Sequence, residues 1–100
     1  MPEGPRLVVV NTTPIIALSL VGELGLLRSL YDEVVVPSAV EAEVLAGGRD
    51  GIGSSELLEA SWLRVASLQD ARCADLLADL DRGEAEVLAL AQELNADLVI

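Results

Sequence analysis

The sequence contains no histidine, no lysine and no phenylalanine, and it has a single cysteine and a single tyrosine. Without histidine there is no imidazole to act as a general base or a metal ligand, and without lysine no Schiff base can form. Any catalysis therefore depends on carboxylates, hydroxyls, the thiol, the tyrosine, or a metal ion held by oxygen ligands. Oxygen ligands suit hard cations such as Mg²⁺ and Mn²⁺.

The cysteine, Cys73, lies in the apolar helical stretch "DARCADLL" and is predicted to be a small buried core residue. One cysteine cannot form an intrachain disulfide, which favours a reducing compartment. No apolar run approaches the roughly 18 residues of a membrane span, and the amino terminus lacks the basic start and apolar region of a signal peptide. We therefore expect a cytoplasmic protein with no membrane partner.

Acidic side chains outnumber basic ones by 17 to 6, and the formal net charge is −11. This charge argues against nucleic-acid binding by bulk electrostatics, because phosphates need positive partners. It does not exclude a nuclease, since a metal ion neutralises carboxylates and phosphate locally, and it would suit a basic protein partner. The 100 residues, 52% of them hydrophobic, fit one domain spanning 1–100 with its own core.

Strand and helix patterns alternate along the chain. Apolar runs predict strands at 6–10, 33–37, 62–68 and 96–100, and amphipathic segments predict helices at 14–20, 23–31, 38–46, 56–60, 71–80 and 81–96, with a glycine-rich loop at 47–55. Thr13 is expected to cap the first helix, with Pro14 at its first position. The alternation predicts an α/β fold with a parallel sheet of about four strands flanked by helices. Because nothing would cover the last strand, the domain is predicted to lack its last helix and strand.

Candidate site residues fall near the carboxyl ends of the predicted strands, where sites form in parallel sheets. Asn11 ends the first strand, Glu43 lies on the helix after the second, and Glu84 lies in the first turn of the helix before the fourth. Glu41 and Glu43 are two positions apart on a helix and point to roughly opposite sides. Glu43 is close to the apolar stripe and is the one expected to face inward. Alternatively, it lies on a solvent-exposed face of the helix.

The residues after the first strand also have a structural interpretation. Asn11 could organise the strand-to-helix turn, since its side chain can bond nearby backbone donors. Thr12 and Thr13 could be capping hydroxyls, or they could contact a phosphate or a metal-bound water.

The acidic residues of the last helix have a structural interpretation of their own. "DRGE" fits a capping box, with Asp81 at the N-cap and Glu84 reaching back to it. Glu86 could then be a solvent-exposed carboxylate near the positive end of the helix.

Three blocks of the sequence together resemble the PIN-domain family: the opening strand with "NTTP", "VVVPSAVEAEV" and "RGEAEVLALA". The likeness covers essentially all of the chain and is greatest to the prokaryotic branch, which includes VapC-type toxin ribonucleases. It implies a three-layer PIN-like domain whose carboxylates hold one or two Mg²⁺ or Mn²⁺ ions that hydrolyse RNA phosphodiester bonds. The first acidic position falls on Asn11, with the small hydroxyl on Thr12 or Thr13. The second and third acidic positions fall on Glu43 and Glu84.

The resemblance is incomplete at two positions. Asn11 offers a neutral oxygen where a carboxylate is expected, and the fourth acidic position, an aspartate, would lie beyond Ile100. Because metal affinity rises with ligand charge, the resemblance implies weak Mg²⁺ or Mn²⁺ binding and a ribonuclease activity that is reduced or lost in this form. If the chain is the toxin of a toxin–antitoxin pair, its partner is an antitoxin protein.

Two other functions stay open at this point. The chain could be a catalytically inactive PIN-like interaction module, which the amide at Asn11, the net charge and the uncovered final strand favour; an uncovered strand edge also predicts a homo-oligomer. It could instead be a phosphoryl-transfer or receiver-type domain that uses Asn11, Thr12 and Thr13. Domains of that kind usually need a lysine, which this chain lacks.

Overall fold

The computed structural model describes residues 6–47, 51–76 and 79–100. Within these ranges four strands form one sheet: β1 (Leu7–Val9), β2 (Glu33–Pro37), β3 (Leu63–Ala66) and β4 (Leu98–Val99). Their order is β3-β2-β1-β4, and neighbouring strands run parallel. The helices are α1 (Thr12–Leu20), α2 (Leu26–Leu30), α3 (Ser38–Leu45), α4 (Ser54–Glu59), α5 (Arg72–Asp75) and α6 (Arg82–Leu94). The predicted α/β fold with a four-stranded parallel sheet is confirmed.

Valine runs build the two central strands. Val8, Val9 and Val10 are fully buried, as are Val35 and Val36, which is the pattern of parallel strands covered on both faces. Helix α6 contacts both of these strands, helix α3 contacts β2, and the two helices contact each other. Since all four strands run in the same direction, their carboxyl ends lie at one edge of the sheet, where α1 begins after β1 and α3 begins after β2.

The first helix begins earlier than predicted. Asn11, not Thr13, is the N-cap: its backbone is extended, and its Oδ1 accepts a hydrogen bond from the Thr12 N–H at 2.7 Å. Thr12 is therefore the first helical residue and Pro14 the third. Proline is tolerated there because the N–H groups of the first turn have no intrahelical partner to lose.

Helix α2 and strand β3 are each shorter than predicted by three residues or more. Helix α2 begins at Leu26 rather than at residue 23, because Gly22 adopts a left-handed φ of 74° that ends α1 and leads into a turn. Strand β3 covers Leu63–Ala66 of the predicted 62–68, and its pairing with β2 ends at Pro37, where β2 itself stops.

Helix α5 is also short, and it changes the environment of the cysteine. Residues 77–78 of the predicted helix 71–80 lie outside the described residues, as do residues 48–50 of the predicted loop 47–55. Cys73 is partly exposed, so the prediction of a small buried core residue is wrong. A helix of four residues has too few turns to cover it on all sides.

Helix α6, with 13 residues, is the longest helix of the described residues. Asp81 is its N-cap as predicted, with Oδ1 accepting a hydrogen bond from the Glu84 N–H at 2.8 Å. Within residues 79–100 no reciprocal bond joins the Asp81 N–H to the Glu84 carboxylate, so only half of the predicted capping box forms. Among the described residues no helix has the length and apolar character needed to cross a membrane.

Candidate active site at the carboxyl ends of the strands

Asn11 is held at the carboxyl edge of the sheet by both strands that flank β1. Its N–H donates to the Ile100 carbonyl oxygen at 2.7 Å, and the preceding Val10 N–H donates to the Val35 carbonyl oxygen at 2.9 Å. The side chain is half-buried and caps α1. The turn-organising role weighed for Asn11 is therefore present, and its amide lies at the sheet edge where parallel sheets form their sites.

The two threonines after Asn11 differ in environment. Thr12 is 8% exposed, and its hydroxyl is buried and finds no hydrogen-bond partner among the described residues. Thr13 is exposed. A buried hydroxyl without a partner is uncommon in folded proteins and calls for a specific explanation, such as a ligand that completes it.

A groove of about 240 Å³ adjoins Asn11. Asn11 and Glu84 both line it, although 73 positions separate them in the sequence, and apolar side chains form the rest of its wall. We call it the strand-end groove; its lining residues are Asn11, Leu80, Glu84, Val87, Leu88, Val99 and Ile100. The structure thus brings together the first and third of the three acidic-type positions.

Glu43 is not among the residues that line the strand-end groove. Its side chain is exposed rather than turned into the core, but it reaches the first turn of α6. A Cβ built on Gly83 would lie 3.3 Å from Glu43 Oε1 and 3.5 Å from Asp81 Oδ1. Two carboxylate oxygens therefore flank the space left open by the missing side chain of Gly83. In the first turn of α6, Gly83 therefore lies beside the Glu43 carboxylate, and Glu84 lines the strand-end groove.

Glu86, which lies beside the candidate site, is more buried than the sequence predicted. Expected to be solvent-exposed, it is instead 9% exposed and buried between α6 and the start of α3. Its Oε1 accepts a long hydrogen bond, 3.4 Å, from the Ala39 N–H in the first turn of α3. The overlooked signal is helical spacing, because Ala89 and Leu90, three and four positions later, are both buried.

Arg82 holds the other oxygen of Glu86 and extends the contact to α5. Its Nε lies 3.1 Å from Glu86 Oε2, and its Nη1 lies 2.9 Å from Asp75 Oδ1. Hydrogen bonds to Asp75 and then to Glu86 raise the pKa of Arg82 above its ordinary value, so the guanidinium stays charged. This network ties α3, α5 and α6 together beside the candidate site and fixes the position of α3, which carries Glu43.

A family model described as PIN domain matches residues 7–100. The chain belongs to the PIN-domain family. No curated protein and no solved structure matches it. PIN domains form a family of nucleases that typically bind RNA and use divalent metal ions. The resemblance in the three sequence blocks is thereby confirmed at the level of the family.

The candidate ligands of this PIN domain, Asn11, Glu43 and Glu84, have the chemistry that a divalent cation needs, since all three offer side-chain oxygen atoms. Two features support the fit: the unpartnered hydroxyl of Thr12 beside Asn11, and the open space at Gly83 between two carboxylates. The charge of the site is low. Within residues 6–47, 51–76 and 79–100 no cluster of three or more acidic or thiol side chains is placed to hold a metal ion.

Proposed function

We propose that this PIN domain is a ribonuclease of low activity that depends on Mg²⁺ or Mn²⁺ and acts in the cytoplasm. The observation that carries the proposal is the strand-end groove, where Asn11 and Glu84 share one wall at the carboxyl edge of the sheet. Glu43 adds a carboxylate beside Gly83 in the adjoining turn of α6. These are the three positions at which the family resemblance places its acidic ligands.

Each of these side chains has one role in the proposed reaction. Asn11, Glu43 and Glu84 would hold the cation, and the exposed Thr13 would contact the phosphate of the RNA. The Thr12 hydroxyl, which the resemblance also places near the substrate, is buried and is not positioned to reach it. When bound, the cation supplies the charge that activates a water for attack and stabilises the leaving oxygen. Because the amide of Asn11 carries no charge, the site attracts a cation less strongly than a carboxylate in its place would.

Cleavage of a labelled single-stranded RNA in Mn²⁺ tests the proposal. We expect slow cleavage that Glu84→Gln and Glu43→Gln abolish and that Asn11→Asp increases. Glu41→Gln is the matched control, since Glu41 lies on the same helix as Glu43 but two positions away, and so on a roughly opposite side of the helix. Cleavage that is undetectable even in Asn11→Asp, or that persists undiminished in Glu84→Gln, would rule out catalysis at this site.

We propose that in the cell this ribonuclease acts as the toxin of a toxin–antitoxin pair. The net charge of −11 would suit a basic antitoxin protein as the partner. Induced expression in a bacterial host is expected to slow growth, and Glu84→Gln is expected to relieve the effect at equal protein level. Growth inhibition by both forms alike would contradict a toxin that acts through this site.

A second candidate function is an inactive interaction module that forms a homo-oligomer. Its support is a set of large apolar side chains that are mostly exposed: Leu20 (65%), Val21 (65%), Leu30 (62%) and Leu58 (69%). Exposed apolar surface of this kind often marks a protein interface. Light scattering coupled to size-exclusion chromatography distinguishes the two candidates together with the RNA assay. A stable oligomer without cleavage favours the module, and a monomer at high concentration excludes it.

A further inference from the structure

Helices α3 and α6 meet at two polar contacts that lie one helical turn apart on each helix. In the first, the Ala39 N–H donates to Glu86 Oε1 at 3.4 Å. In the second, Glu43 Oε1 lies 3.3 Å from the position that a Cβ on Gly83 would occupy. Ala39 and Glu43 are four positions apart and so lie on one face of α3. Gly83 and Glu86 are three positions apart and lie on one face of α6, so the same two faces make both contacts.

The position of the Glu43 carboxylate depends on how α3 packs against α6. The side chain is exposed, and the ion pairs of the residues that the structure describes involve other carboxylates. The buried Val40, on the same part of α3, adds an apolar contact, since its Cγ2 lies 3.8 Å from the Gly83 Cβ position. Apolar attraction has no preferred direction. This contact alone therefore holds α3 close to α6 without fixing its rotation.

Glu86 supplies a directional contact at the same place. Its Oε1 accepts the hydrogen bond from the Ala39 N–H of α3, and its Oε2 is held by Arg82 Nε of α6 at 3.1 Å. The carboxylate is thus bound to one helix through each oxygen. Hydrogen bonds weaken steeply as their geometry departs from linear, so a rotation or translation of α3 on α6 would break the bond to Ala39.

Stability alone does not account for a carboxylate at this place in α6. Glu86 is 9% exposed, its hydrogen bond to α3 is long, and the guanidinium of Arg82 is half-exposed. Burying a carboxylate costs free energy, and an apolar side chain of similar volume in place of a buried ion pair is often neutral or stabilising. An apolar side chain, however, could not accept a hydrogen bond from the first turn of α3. The carboxylate is therefore best explained by the direction that it gives to the contact.

We propose that Glu86 is a positioning residue of the candidate site: by holding the start of α3, it keeps the Glu43 carboxylate beside the first turn of α6. That turn also carries Glu84, and Glu86 itself is not among the positions that the family resemblance assigns to the metal site. This role rests on the proposed ribonuclease, because a cation shared by Glu43 and Glu84 needs carboxylates from two helices at a fixed separation. The position of the Glu43 carboxylate can be measured without a metal.

Two variants separate the position of Glu43 from the stability of the domain. Glu86→Leu removes both oxygens and keeps a buried side chain, whereas Glu86→Gln keeps an oxygen that can accept from the Ala39 N–H. Both remove one negative charge, so Glu86→Gln is the matched control. In each background, the nuclear magnetic resonance signal of the Gly83 amide is recorded with and without Glu43→Gln in metal-free buffer. Because the field of a charge falls with distance, Glu43→Gln shifts this signal only while the carboxylate lies close to Gly83.

We expect Glu43→Gln to shift the Gly83 signal by similar amounts in the wild type and in Glu86→Gln. In Glu86→Leu the shift is expected to fall to less than about half, although the thermal midpoint should fall less than in Glu86→Ala. Glu86→Ala, which removes the same oxygens without replacing their volume, is expected to show the same reduced shift. An undiminished shift in Glu86→Leu, or no shift in the wild type, would overturn the proposal.

Titration with manganese chloride at constant ionic strength measures the consequence for the metal site. Bound Mn²⁺ broadens the amide signals of nearby residues, and the first turn of α6 is followed in the wild type and in Asn11→Asp. Glu86→Leu is expected to raise the dissociation constant about fivefold, and Glu86→Gln less than about twofold. Equal constants in these two variants would overturn the positioning role. Absence of local broadening in both the wild type and Asn11→Asp would contradict the proposed ribonuclease, whereas the metal-free shift of Gly83 would still decide whether Glu86 positions Glu43.

Discussion

Replacing Glu86 by alanine tests whether a buried carboxylate fixes helix α3 against helix α6. The side chain of Glu86 accepts a hydrogen bond from the Ala39 N–H at the start of α3 and pairs with Arg82 one turn earlier on its own helix. The start of α3 has no side-chain cap of its own, because Pro37 precedes it. Glu86 therefore supplies from another helix the acceptor that a capping residue would supply locally.

The expected cost of the substitution follows from three contacts. The hydrogen bond to the Ala39 N–H is long, 3.4 Å, and is worth about 0.5–1 kcal/mol. The pair with Arg82 adds little, since the guanidinium is half-exposed. The buried stem loses about 0.8 kcal/mol for a methylene. Relief from burying a carboxylate offsets a small part of the total, so we expect a loss of about 1.5 kcal/mol for Glu86→Ala.

Thermal unfolding followed by far-ultraviolet circular dichroism measures this loss. For a domain of this size about 1.5 kcal/mol corresponds to a fall in midpoint of about 10 °C. Glu86→Gln keeps the stem and an acceptor oxygen and should lose about half as much. The matched control is Glu84→Ala, two positions away on the same helix but exposed, with an expected change within about 0.5 kcal/mol. If the two alanine variants lose the same stability, Glu86 does not fix α3.

Three further predictions concern single contacts. Asp81→Ala removes the N-cap of α6 and should lower the free energy of unfolding in urea by about 1 kcal/mol; equal loss in Asp79→Ala would refute a capping effect. Gly83→Ala should raise the thermal midpoint, because alanine favours a helix over glycine by up to about 1 kcal/mol. The new Cβ would lie 3.3 Å from Glu43 Oε1, which is the end of a flexible side chain and can move away. A lower midpoint would show that the carboxylate cannot move. Hydrogen bonds from the Arg72 side chain, and to a lesser extent from the Arg72 backbone N–H, lower the pKa of Asp70. The stability that Asp70 contributes is therefore present above its ordinary pKa and is lost as the pH falls through the lowered pKa. Asp70→Asn should therefore reduce the midpoint slightly at neutral pH and not in strong acid, and a difference that is independent of pH would contradict the pairing.

The strands and the order of the elements could be predicted because their determinants are local. A run of β-branched residues such as 33–37 is covered on both faces in a parallel sheet, and the observed β2 has those bounds. The start of α1 could not be predicted in the same way. Asn11 and Thr13 are both good N-cap residues, and the choice between them depends on the hydrogen bond from the Asn11 N–H to Ile100, which is 89 positions away.

The candidate site shows the same division between local and long-range determinants. Helical spacing predicted that Glu43 faces inward, but its side chain is exposed, and its carboxylate lies beside Gly83 of another helix, 40 positions away. Glu86 was misplaced because its partner, the Ala39 N–H, is 47 positions away and belongs to another helix. A local rule for helix starts favoured solvent for Glu86, and packing between α3 and α6 overrides it.

The amide of Asn11 is not required by the fold. Its Oδ1 caps α1, and an aspartate oxygen would accept the same hydrogen bond, since aspartate and asparagine are equally good N-caps. The negative charge would also interact favourably with the positive end of the helix. Stability therefore gives no reason to prefer the amide, and Asn11→Asp changes the charge of the strand-end groove while leaving the turn intact. If Asn11→Asp is as stable as the wild type and binds Mn²⁺ more tightly, the neutral side chain limits the metal affinity of this site.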